Sequence, residues 1–181
     1  MNLFVSSPEW IVWLLVAFLA AATIQDAVQL KISNYICAAV LVLAVVAMAL
    51  SGFRVSLWQN VVIFTAILTI GAFLFERGVL GGGDVKLFAA VGFWANLQAA
   101  LWLVVSVAIA GGLLALAMIF LRTFVPKGLA RRVKTLQPKA GIPYGIAITA
   151  GTLMMLVPGP REKSVPYVPI SAPAKAPAQS G

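Results

Sequence analysis

Residues 98–121 read QAALWLVVSVAIAGGLLALAMIFL, a run of 24 positions without one charged side chain. A helix of that length reaches roughly 36 Å at ~1.5 Å per residue, enough to cross a hydrocarbon core of ~30 Å. Comparable apolar runs recur at 8–28, 32–51, 57–75, 84–95 and 142–157. With 62% apolar and only 10% charged residues, and a mean hydropathy of +1.02, the chain lacks the polar surface that a water-soluble globule must show. The expected fold is therefore all-α, a polytopic membrane helix bundle of about six transmembrane helices. Residues 1–160 form one membrane-embedded domain in this reading, and 161–181 a disordered Pro/Ala-rich tail.

Residues 87–121 as one helix would be about 50 Å long, more than the bilayer core. Asn96 and Gln98 supply the polar side chains for a break, so the chain is expected to turn there. No basic residue precedes the first apolar run, which is thus read as a retained span rather than a secretory signal.

The 13 basic residues outnumber the 5 acidic ones, for a net charge of +8. They lie mainly in the loops. Arg122, Lys127, Arg131, Arg132, Lys134 and Lys139 fall between the last two runs, which makes that loop cytoplasmic by the positive-inside rule. Strict alternation then puts Lys31, Arg77 and Lys86 on the same side, and Arg54, both termini and the Asn96 turn outside. Trp10, Trp13, Trp58, Trp94 and Trp102 all come near outer ends of spans, as interfacial aromatic rings should. The charge is thus explained by topology, with the lipid bilayer as partner and no nucleic acid. Residues 127–137 read either as a short interfacial helix or as a plain basic loop.

The sequence holds no histidine and one cysteine, Cys37. This excludes the Ser-His-Asp triad, Cys-His pairs, a disulfide within the chain and cysteine zinc sites. No metal site and no cofactor are expected. Chemistry must fall to carboxylates, lysines, hydroxyls or the backbone.

Of five acids, Glu9, Asp26, Glu76, Asp84 and Glu162, only the two aspartates touch the spans. Acids in a membrane segment are costly and usually kept for function. The alternation places Asp26 near the inner end of the first span and Asp84 at the start of the fourth from the same side. Two carboxylates at one depth can meet across a small bundle and share one proton. One can then accept a proton from water while the other donates to a peptide carbonyl. Leu80-Gly81-Gly82-Gly83-Asp84 adds three glycines before the acid, where they permit unusual backbone angles and close approach of a substrate. The same residues also read as a flexible link with Asp84 as a helix cap. A phosphate-binding loop does not fit, because no Lys-Ser/Thr follows.

Gly81-Gly82-Gly83-Asp84 matches GxGD, the run Asp84-Val85-Lys86-Leu87 continues it, and Asp26 to Asn34 holds an Asp followed by Lys31, Ile32 and Asn34. Ile142-Pro143-Tyr144-Gly145 opens the last run. GxGD by itself also occurs in presenilin-like proteases. In this order and setting the combination resembles the type IV prepilin peptidase family, and most of all its short form from tight-adherence (Flp) pilus systems.

The resemblance implies an aspartic endopeptidase of the bacterial inner membrane, with Asp26 and Asp84 catalytic. It implies cleavage of the basic leader of prepilins and pseudopilins on the cytoplasmic side. Larger members methylate the new N-terminus with a domain carrying paired CxxC motifs. With one cysteine, no methyltransferase activity is expected here. Gly81, Gly83, Lys31, Asn34 and Lys86 are the supporting positions. For Lys31 and Lys86 a topogenic or snorkelling role is the favoured alternative, and on a helix Lys86 points away from Asp84. Asn34 either bonds within the site or caps the second helix. Gly141 and Gly145 are read as helix-packing glycines, and Glu76 as a residue that attracts a basic leader. The rival readings are a small proton-coupled transporter and a structural subunit of a pilus or secretion machine. Nothing in the pattern specifies an oligomeric state.

Overall fold

The apolar runs separated by short polar breaks fold into helices. A computed structural model describes residues 2–52, 57–124 and 141–156, and every regular element among them is an α-helix. In chain order these are α1 (Leu3–Ser6), α2 (Glu9–Gln29), α3 (Asn34–Leu50), α4 (Leu57–Glu76), α5 (Gly82–Gly92), α6 (Leu97–Phe124) and α7 (Tyr144–Leu156). The expected loop at 122–139, its interfacial segment 127–137, Arg54 and the tail 161–181 lie largely or wholly outside the described residues.

All six apolar runs are helical, but they differ in reach. Among the described residues, α2, α4 and α6 are long and apolar enough to cross a membrane, while α3 and α7 are shorter apolar helices. The fourth run departs furthest from the expected span. It starts at Gly82 rather than Asp84 and has 11 residues, which is about 16 Å and half a hydrocarbon core.

The half-length helix is tolerated because protein, not lipid, surrounds it. Val85, Leu87, Ala89, Ala90 and Val91 are buried around its circumference, and it packs on α3, α4 and α7. Small residues set the spacing, as is usual between membrane helices. A Cβ on Gly71 of α4 would stand 2.5 Å from Val85 Cγ1.

A turn inside an apolar bundle must satisfy its own carbonyls, since each one left bare costs several kcal/mol. Asn60 of α4 does this after α5, its Nδ2 donating to the Phe93 and Ala95 carbonyls at 2.8 and 3.0 Å. The Leu3 amide donates to the Trp94 carbonyl at 2.8 Å. Asn96 then caps α6, with its Oδ1 accepting from the Ala99 amide at 2.8 Å. The expected break at Asn96 is therefore where the chain turns.

Trp94 corrects one expectation. It is fully buried, stacked on Phe4, with Nε1 donating to the Val40 carbonyl at 3.3 Å. It is a core residue, not an interfacial anchor. Trp10, Trp13, Trp58 and Trp102 are each more than half exposed, as lipid-facing rings should be. Together these contacts bring the C-terminus of α2 and the N-termini of α3, α5 and α7 to one end of the bundle.

Candidate active site

Helix α2 ends because Leu30 adopts a left-handed conformation (φ 54°, ψ 36°), with its amide donating to the Asp26 carbonyl at 2.9 Å. That conformation costs a non-glycine residue about 1–2 kcal/mol. It sends residues 31–33 sharply across the end of the bundle. Gln25 holds the bend by accepting from the Ser33 amide at 2.8 Å, and Ser33 caps α3 through the Tyr35 amide.

The bend leaves Asp26 buried in the last turns of α2, at 3% exposure. Its Oδ2 accepts a hydrogen bond from the Gly145 amide at 2.7 Å. Gly145 is the second residue of α7, so the carboxylate sits at a helix N-terminus, where negative charge is favoured. A Cβ at 145 would fall 2.8 Å from that oxygen. Gly145 was expected to serve helix packing alone. Its amide instead binds a carboxylate, which nothing in a helix-contact spacing reveals.

Asp84 is the third residue of α5 and is 8% exposed. The cap of α5 is Gly81, so the reading of Asp84 as an N-cap does not hold. Asp84 and Asp26 line the same cavity of about 190 Å³. Oδ1 of Asp84 is buried and has no hydrogen-bond partner among the described residues.

The glycines before Asp84 are needed for space rather than for unusual backbone angles. Gly81 has an ordinary extended conformation (φ −75°, ψ 144°), and Gly82 and Gly83 belong to the first helical turn. A Cβ on Gly81 would meet Asp84 Oδ2 at 2.6 Å. One on Gly83 would meet the backbone N and O of Ile32 at 3.1 Å, while at Gly82 the nearest atom is Phe75 Cε2 at 3.4 Å. Gly83 is where α5 touches the bend after α2, and its carbonyl accepts from Cys37 Sγ at 3.7 Å.

Lys86 points away from Asp84, as expected, and its Nζ donates to Asn34 Oδ1 at 2.9 Å. This links the first turn of α3 to the second turn of α5, so Asn34 does not cap its own helix; Ser33 does. Lys31 is exposed and lines a cavity of about 190 Å³ with Asp26, Ile32, Gly81, Gly83 and Asp84. Glu76 is exposed at the end of α4, outside that lining. A second, apolar cavity of about 280 Å³ meets Asp84 from the α6 and α7 side.

Two further supports were not read from the sequence. Thr23 Oγ1 donates to Thr149 Oγ1 at 2.8 Å, and Thr149 to the Leu19 carbonyl at 3.3 Å, which ties α2 to α7 behind Asp26. Asn60 is the other. Their signal was a polar side chain within an apolar run, which carries meaning only once its neighbour on another helix is known.

Two carboxylates beside a cavity that opens past a glycine-lined turn can exchange protons with a water and a bound carbonyl. No protein of curated function and no solved structure matches the chain. A family model for the type IV leader peptidase family matches residues 13–116, a segment that contains both aspartates and the whole of α5. Together with the all-helical membrane fold, the match covers more than half of the sequence, and the chain belongs to the type IV leader peptidase family.

Proposed function

We propose that the chain is an aspartic endopeptidase of the bacterial inner membrane that removes the leader of tight-adherence (Flp) prepilins and related pseudopilins. Asp26 and Asp84 are its catalytic pair. The observation that carries this reading is that both aspartates line one cavity of about 190 Å³, with Asp26 held there by the Gly145 amide. Between them the pair holds one proton, because two adjacent carboxylates do not both ionise readily. The ionised partner takes a proton from the attacking water, and the protonated one donates to the scissile carbonyl.

Cleavage at the cytoplasmic face is supported by charge. Lys31 and Lys86 lie at the same end of the bundle as the aspartates, and Arg77 follows the end of α4 there, its guanidinium over the Phe73 ring. The membrane bundle within 1–160 carries the activity. No methyl transfer is proposed, since the one cysteine, Cys37, cannot supply paired CxxC motifs.

The test is co-expression with a tight-adherence prepilin, with leader removal followed by gel mobility, beside Asp26→Asn and Asp84→Asn. Cleavage by the wild type alone is expected. Cleavage that survives either substitution removes the two-aspartate mechanism. A well-expressed wild type that cuts no prepilin favours the transporter or scaffold readings.

A further inference from the structure

A third cavity, of about 320 Å³, lies between α3 and α4 over α5, and neither aspartate is in its lining. Its two ends differ in chemistry. Where α3 and α5 begin stand Asn34, the first residue of α3, and Lys86, in the second turn of α5. Deeper in lie Leu41, roughly 10 Å along α3, and Leu68 and Phe64, roughly 12 and 18 Å before the end of α4. These three side chains are half-buried, so the cavity is a groove open at the surface that the bundle turns to lipid. The polar end presents donors only. Lys86 Nζ gives one hydrogen to Asn34 Oδ1 at 2.9 Å. An ammonium carries three, and with Oδ1 turned to the lysine, Asn34 keeps its NH2 group for another partner. No acidic side chain pairs with Lys86 among the described residues; Asp84, two positions back, lines the other two cavities. A positive, donor-rich mouth on an apolar groove matches a molecule with an anionic head and an apolar chain.

We propose that this groove binds one anionic phospholipid, with its phosphate at Lys86 and Asn34 and an acyl chain along Leu41, Leu68 and Phe64. Basic pockets between membrane helices suit such headgroups on the cytoplasmic side, where the leaflet is negatively charged. A lysine that served topology alone would snorkel to the headgroups at large. Lys86 is instead held against Asn34 at the mouth of a cavity. A neutral lipid brings no net charge to match the ammonium, so charge complementarity selects the anionic one. The site stands whether or not the aspartates cut a leader. A lipid held there bears on α5, the helix that carries Asp84.

The experiment uses the full chain in phosphatidylcholine vesicles that carry a trace of a photoactivatable lipid. The probe is phosphatidylglycerol or phosphatidylcholine with a diazirine on one acyl chain, and labelled residues are read by peptide mass spectrometry. Phosphatidylglycerol is expected to label Leu41, Phe64 and Leu68 about fivefold more than phosphatidylcholine does, the advantage one lysine gives near a membrane surface. Lys86→Met should bring that ratio near one, and Lys86→Arg should keep it. Arg77→Gln, which removes the same charge just after α4 and outside the groove, should keep it too. Ala38→Trp places a ring at an exposed position of the groove and should remove labelling there by both probes. Labelling elsewhere on the chain, unchanged among the variants, shows that each is folded. Equal labelling by the two probes in the wild type, or a preference that survives Lys86→Met, overturns the proposal and leaves ordinary bilayer lipid in the groove. Labelling of the same residues by a prepilin with a diazirine in its apolar segment, in place of the lipid, assigns the groove to the substrate and overturns it as well.

Discussion

The Gly145 amide donates to Oδ2 of Asp26 at 2.7 Å, joining residues 119 positions apart in the chain. Through this bond the first turn of α7 sets the height of a carboxylate on α2. Gly145 also lies beyond the segment matched by the family model. Gly145→Ala would press a methyl against Asp26 Oδ2 and, at 3.0 Å, against Ile32 Cδ1. A displacement of about 1 Å at a reacting group costs on the order of 100-fold in rate. Leader cleavage should fall by that order in kcat, with the protein still inserted and folded. An Ala variant of full activity would show that the close approach of residue 145 to Asp26 is not needed.

The three glycines should separate by position. Gly81→Ala and Gly83→Ala place a Cβ against Asp84 Oδ2 and the Ile32 backbone, and neither can yield without moving the acid or the bend. Gly82→Ala meets only the edge of Phe75 at an ordinary contact distance and gains helix propensity. Cleavage should be nearly lost for the first two and largely kept for the third. Equal losses at all three would mean that the loop needs flexibility rather than room.

Lys86 and Asn34 should behave as a unit. If their hydrogen bond positions α5 against α3, Lys86→Met and Asn34→Ala each lower kcat/KM several-fold, and the double variant is little worse than either. A lysine that only directs topology is indifferent to Asn34. Additive losses in the double-mutant cycle would return it to that role.

Trp94 and Trp13 make a stability test of the same kind of side chain in two settings. Trp94→Ala opens a cavity where the ring packs on Phe4 and should cost about 3–5 kcal/mol. Trp13 is 72% exposed, and its replacement by Phe should stay within about 0.5 kcal/mol. Unfolding of both variants in detergent micelles gives the comparison. Similar losses would place Trp94 outside the core.

The interhelical threonine pair has a smaller expected effect. Hydrogen bonds between membrane helices average about 0.6 kcal/mol and reach about 1.7. Thr149→Val should lower stability within that range, because it removes the bonds to Thr23 and Leu19. A loss well above it in the same unfolding measurement would mean that the pair carries packing as well.

The sequence by itself determined the solvent, the fold class and the chemistry available. Lipid admits only self-satisfied backbone, so long uncharged runs such as 98–121 had to be helices. With no histidine present, the aspartates of those runs stood out as the chemical groups. The break at Asn96 was legible because a single helix there would overrun the bilayer. What only the tertiary structure decided is what depends on a neighbour from another helix. Trp94 looks interfacial by its place in the chain and is buried by Phe4 and Val40. Gly145 looks like a packing glycine, yet its amide holds Asp26. Lys86 looks topogenic, yet it bonds Asn34. The half-length α5 was read as a span because a run of apolar residues does not say what surrounds it. Apolar periodicity reports contact with a nonpolar medium, and protein interior and lipid are alike in that respect. Three-dimensional packing tells them apart, and it also sets the distances on which a pair of carboxylates depends.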